Sequence, residues 1–209
     1  MKTFENLYKE KQYSQALEYL KNHQSEFPLS IYHHNLSAVF FQLKEFPLSR
    51  YHLIKAESYG LTDGLVFQNK SLINRELDLE RLERPINISD YVYKFSMNFE
   101  NGGFATLSLG IILIGTLVLF RLRNLKSGLI VSLLAIVPLI FQLWTSSLDR
   151  YISKNEVKLF DGPSGIFETD KLLPMGVLLI VKEHEDWLEV VYPSRFEGWV
   201  NHKNLIKVK

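Results

Sequence analysis

Few residues in this chain are spaced for chemistry. Gly162-Pro163-Ser164-Gly165 places a serine between glycines, but the spacing is one residue short of the Gly-x-Ser-x-Gly elbow that exposes a nucleophile. It reads instead as a tight turn between strands. His33 and His34 are adjacent. Neighbours on a helix point apart, and neither histidine has a second one at i+4, so the pair does not read as a metal site. His184-Glu185-Asp186 reads as an exposed hairpin turn. No glycine-rich loop capable of cradling phosphate is present. No catalytic residue, metal ligand or cofactor is therefore expected.

Composition narrows the classes further. The chain has 209 residues, 24 basic and 23 acidic side chains, and a net charge of +1. Nucleic-acid binding needs a clustered basic face, which this balance does not suggest. Cysteine is absent, which removes disulfides, thiolate metal sites and a cysteine nucleophile. Mean hydropathy is −0.02, an average over an apolar middle and two polar ends.

The elements around these residues fall into segments of different character. Tyr13, Ala16 and Leu20 recur 33 residues later as Phe46, Ser49 and Leu53, and Asn35 recurs 34 residues later as Asn69. A period of about 34 residues is that of tetratricopeptide repeats, each a helix-turn-helix. Small residues (Ala16, Ser49, Ala56) fall where paired helices approach, and Tyr13, Phe46, Leu20 and Leu53 fill the space between them. Pro28 ends a helix, since it lacks an N–H donor. Residues 1–84 are therefore expected to form a tetratricopeptide-like helical domain, with a plain helical bundle as the alternative. Residues 85–103 read as an irregular, aromatic connector.

Phe104 to Phe120 and Gly128 to Leu148 carry no charge. A membrane helix needs roughly 20 apolar residues, so 104–148 is expected to form a two-span hairpin (104–120 and 128–148). The alternative is a pair of buried core helices. Arg121, Arg123 and Lys126 between the runs place that turn in the cytoplasm by the positive-inside rule. Both terminal domains are then expected outside the cytoplasm of a bacterial inner membrane, with the bilayer as a partner. Met1-Lys2-Thr3-Phe4 is not followed by an apolar signal region. Export then requires an upstream segment or insertion driven by the first span.

From Tyr151 the pattern becomes short β runs: Glu156–Phe160, Gly176–Val181, Trp187–Val191, Gly198–Val200 and Leu205–Val208, with turn residues between them. Short strands so closely spaced predict a small barrel over 151–209.

The order Pro163, Gly176, Trp187-x-x-Val190 and Gly198-Trp199-Val200 resembles bacterial SH3-like domains. The whole succession of helical repeats, two spans and this barrel resembles the BatE-type tetratricopeptide proteins of bacterial aerotolerance operons. That resemblance implies partners among envelope proteins, including Bat-type membrane proteins with von Willebrand domains. Its SH3-like part implies binding of peptides or of cell-wall peptidoglycan. The fold class expected is thus a multidomain membrane protein, and the function expected is a non-catalytic, membrane-anchored scaffold, with cell-wall binding as the alternative. Candidate partner contacts are Asn35 and Asn69 on the repeats and Trp187, Tyr192 and Trp199 on the barrel.

Overall fold

The computed structural model describes residues 3–97, 103–122, 133–134 and 136–208. They form two compact units. The first joins residues 1–86 to residues 149–209, and the second is residues 87–148. The two ends of the chain, far apart in sequence, therefore share one unit.

In the first unit the N-terminal helices are α1 (Phe4–Lys9), α2 (Tyr13–Asn22), α3 (Leu29–Gln42), α4 (Phe46–Ser58), α5 (Gly64–Glu76) and α6 (Leu79–Leu82). They pair as three hairpins that turn through left-handed residues, Lys11, Lys44 and Asp78. The apolar stripes of these helices meet in two clusters. One joins Phe4, Leu7, Ala16, Leu20, Leu36 and Val39, and the other joins Leu53, Val66, Ile73, Leu77 and Leu79. Ala16, Ser49 and Ala56 are fully buried, as expected of small residues at close helix contacts. Ser49 Oγ donates to the Ser37 carbonyl at 2.8 Å, so its hydroxyl is satisfied inside the core.

The C-terminal strands are β1 (Asp149–Ser153), β2 (Val157–Phe160), β3 (Glu168–Leu173), β4 (Leu178–His184), β5 (Trp187–Tyr192), β6 (Gly198–Asn201) and β7 (Leu205–Lys207). They form one antiparallel sheet in the order β3-β2-β6-β5-β4-β1-β7. In β5 burial alternates, with Leu188, Val190 and Tyr192 inward and Trp187, Glu189 and Val191 on the outer face. Leu82 of α6 belongs to the core beneath the sheet, with Leu159, Leu179, Leu188, Val190 and Val200.

Polar contacts bind helices to sheet. Arg50 on α4 pairs with Glu83, and its Nη1 also donates to the Gly176 carbonyl at 2.5 Å. Glu83 Oε1 accepts from the Leu178 backbone N–H at 2.6 Å. Lys55 Nζ donates to the Val208 carbonyl at 2.7 Å.

The second unit contains α7 (Ile88–Met97), α8 (Gly103–Leu122) and α9 (Ile136–Ser146). Asn87 caps α7, its Oδ1 accepting from the Asp90 N–H at 2.8 Å. Segment 85–103, read as irregular, is thus largely helical up to Met97. Aromatic residues join α7 to α9, with Tyr93 against Trp144 and Phe95 against Phe141.

The expected fold class is corrected in three respects. Among the described residues, no helix is long and apolar enough to cross a membrane. At about 1.5 Å per residue, α9 spans about 16 Å. That falls short of the roughly 30 Å hydrocarbon core. The two-span hairpin, the membrane anchor and the multi-pass inner-membrane location are therefore not supported. The basic turn beyond residue 122 lies outside the described residues. Second, a tetratricopeptide array is not supported. The hairpins share a turn but not a length: α1 has 6 residues and α6 has 4, so only α3 and α4 form a hairpin of full helices. Third, the small five-stranded barrel is replaced by a seven-stranded antiparallel sheet whose pairing order ends at β3 and β7.

Candidate functional site

A cleft opens where α1, α3 and α5 meet. Tyr8, Ala38, Gln42 and Asn69 stand among its lining residues, with Phe41 and Leu72 as apolar surface and the buried Ile73 behind them. The local sequence explains this mixture. Leu7 of α1, Leu36 and Val39 of α3, and Ile73 of α5 turn into the core. The next residues round each helix, Tyr8, Ala38 with Gln42, and Asn69, are then left at the edge of that core. The Tyr8 hydroxyl is hydrogen-bonded to Gln42, and burial raises its pKa. Asn69 Nδ2 donates to His34 Nε2 at 3.1 Å, tying α5 to α3. That bond requires a neutral imidazole acceptor, in keeping with a His34 pKa lowered by burial and only partly restored by Asp63.

Of the two asparagines expected to contact a partner, the cleft takes in Asn69. Asn35 is half-buried on α3 and is not among the lining residues. Tyr8 and Gln42 were not legible as site residues, because their places in the helices resemble those of many surface positions.

The sheet separates the other three candidates. Trp187 and Trp199 are half-buried on its outer face. Register confirms this, since Trp187 pairs with Asn201 and Trp199 with Glu189. Phe160 stands edge-on to Trp187 at 5.0 Å, and His184 lies at 5.0 Å from the Trp199 ring. Glu189 sits among them with Lys182 at 3.8 Å and His184 at 3.5 Å. Tyr192 is 1% exposed and faces the opposite way, its hydroxyl donating to the Glu83 carbonyl at 3.3 Å. It offers no surface to a ligand, and its place in the expected groove is corrected to a core position under the helices.

His33 has a close partner, but not His34. Its Nδ1 stands 2.9 Å from His52 Nδ1, across the α3–α4 hairpin. Burial lowers both pKa values. Lys55 adds to the effect on His33, and His33 adds to that on His52, which is pushed down to about 3. Ser164 lies in the β2–β3 turn, where its N–H donates to the Gly162 carbonyl at 2.8 Å. Among the described residues, no three or more His, Asp and Glu side chains converge on a metal position.

The second unit carries an apolar cleft of about 620 Å³, lined by residues that include Ile88, Tyr91, Phe95, Val137 and Phe141. Its walls present almost no polar atoms to orient a small ligand. In comparison with known proteins, the chain matches no family model, no curated protein and no solved structure.

Proposed function

We propose that the chain is a non-catalytic adaptor whose first unit receives a segment of a partner protein in the cleft between α1, α3 and α5. The supporting observation is the arrangement there: a phenol and two amides, from Tyr8, Gln42 and Asn69, beside the apolar surface of Phe41 and Leu72. Amides both donate and accept, so they suit the backbone of an extended segment lying across the cleft, whose volume of about 60 Å³ takes at most one small side chain. Binding at such a site relies on a few well-placed contacts rather than on area. The test is selection of displayed random peptides on the intact chain. Selected peptides should lose about tenfold in affinity on Gln42→Ala or Asn69→Ala and be unaffected by Trp199→Ala. Failure to select any peptide, or selection of peptides indifferent to both cleft substitutions, sinks the reading.

A second reading, peptidoglycan binding, is favoured by one observation. Trp187, Trp199 and Phe160 share the outer face of the sheet with Glu189 and Asn201. Aromatic faces beside hydrogen-bonding groups suit sugar rings. The intact chain should then sediment with purified sacculi and lose that property on Trp199→Ala.

A further inference from the structure

The histidine pair on the α3–α4 hairpin is unused by the adaptor reading and has its own geometry. His33 and His52 direct their Nδ1 atoms at each other from opposing helices, 2.9 Å apart. Their rings are nearly parallel, 25° apart with centroids at 5.1 Å. Tyr59 extends the stack beyond His33, at 5.5 Å and 9°, and Phe40 extends it beyond His52, at 5.2 Å and 1°. Tyr32 and Tyr51 abut the pair edge-on. These walls fix the orientation of both imidazoles, the role that supporting groups perform around ligand side chains. Both histidines keep part of their surface in solvent, so an ion and its waters can reach them.

At 2.9 Å the contact is a hydrogen bond in which one Nδ1 donates and the other accepts. It is also a coordination distance. Imidazole nitrogens bind such ions at about 2.0–2.1 Å, and two ligands at a right angle then stand about 2.9 Å apart. Tetrahedral binding would need about 3.3 Å, a wider opening of the pair. Right-angled nitrogen ligands are the geometry of Cu²⁺ and Ni²⁺. Imidazoles unaccompanied by carboxylates select such ions over Mg²⁺ and Ca²⁺, which require oxygen ligands.

We propose that His33 and His52 form a two-imidazole site for a divalent transition ion, Cu²⁺ in preference to Ni²⁺, with water completing the coordination. The proton balance is simple. The imidazole that donates through Nδ1 in the free chain moves that proton to its Nε2, and both rings bind as neutral ligands with no net proton released. Lys55 acts against the ion, since its charge already disfavours a positive His33. Its Nζ is held by the Val208 carbonyl. A bound ion would join α3 to α4 directly.

The test is titration of the intact chain with Cu²⁺ alone in a non-coordinating buffer, followed by electron paramagnetic resonance and thermal melting. The expected result is one equivalent bound, with hyperfine coupling to two imidazole nitrogens and a higher melting temperature in the presence of the ion. His33→Asn should weaken binding by about a hundredfold, while His34→Asn and His23→Asn leave it unchanged. His33→Gln serves as a second variant, and melting without metal shows that each variant is folded. Copper that binds the His33 variants as tightly as the parent chain overturns the proposal. So does binding that follows His34 or His23, or an ion held by scattered surface imidazoles only.

Discussion

Arg50 and Glu83 meet through two parallel contacts, Nη1 to Oε1 at 2.5 Å and Nη2 to Oε2 at 2.8 Å. Both side chains are nearly buried, at 11% and 13% exposure. Fork-to-fork pairing of this kind fixes orientation as well as energy. Each partner has a second task, since Arg50 donates to the Gly176 carbonyl and Glu83 accepts from the Leu178 N–H. The pair is therefore the polar centre of the joint between helices and sheet. Glu83→Ala leaves a guanidinium and a backbone N–H without their acceptor and should cost about 3 kcal/mol. Urea denaturation of the variant checks this, and a loss below about 1 kcal/mol would remove the pair from that role.

Gly176 passes under Leu77 with φ at +80°. A Cβ there would lie 2.5 Å from Leu77 Cδ1, and the conformation itself disfavours any side chain. Gly176→Ala should lower stability by about 1–3 kcal/mol through both effects. Pairing it with Leu77→Ala separates them. The double variant should recover the steric part and keep the backbone part, read as non-additivity in a double-mutant cycle.

The sheet core is completed by a residue from the helices. Leu82 is 8% exposed among Leu159, Leu179 and Leu188. Leu82→Ala should destabilise by about 2–4 kcal/mol. Residues 149–209 produced alone should show weakened amide protection in β4 and β5, because the cover over that core is missing. Full protection in the isolated segment would contradict this.

Lys207 and Tyr151 both donate to Glu183 Oε1, each at 2.7 Å. The Lys207 contact, then the Tyr151 hydroxyl, holds the Glu183 carboxyl below the ordinary carboxylate range. A lowered carboxyl pKa contributes stability that is present above the unfolded value, about 4.3. That contribution is lost as pH falls through the folded value. The parent chain should thus exceed Glu183→Gln in stability at pH 7, with the gap closing below about pH 4. The gap is modest, because the Glu183 side chain is 39% exposed. Melting curves of both chains across that range measure it.

Local pattern carried some of this fold and not the rest. Trp187–Tyr192 alternates along its length and was legible as a strand. Asp149–Ser153 was not, because it follows an apolar run directly and is buried at almost every position. Glu168–Leu173 is polar and exposed, as edge strands are, and gives no alternation to read. Residues 88, 91, 92 and 95 have helical spacing, yet Tyr91, Tyr93, Phe95 and Phe99, with Asn98, Asn101 and two glycines close by, suggested an irregular connector. The union of helices with sheet rests on Arg50 and Glu83, two polar residues 33 positions apart, which no local pattern connects. The site divides in the same way. Asn69 was legible from its repeat of Asn35, whereas Tyr8 and Gln42 acquire their place only when three helices converge. His33 stood out beside His34, but its true neighbour lies 19 residues away, brought across by the register of the hairpin.

Because the first unit closes on residues from both sides of segment 87–148, its assembly has an order imposed by synthesis. A ribosome emits α1–α6 first and then the whole second unit before the first strand of the sheet exists. During that interval Leu77 and Leu82 have no sheet above them, and Glu83 has no Leu178 N–H to accept from. The nascent chain thus displays, for the time needed to translate the intervening segment, an apolar surface of the kind that chaperones engage. Moving the coding region of 149–209 ahead of that of residues 1–86, in a circular permutant, would shorten that interval and change which half waits for the other.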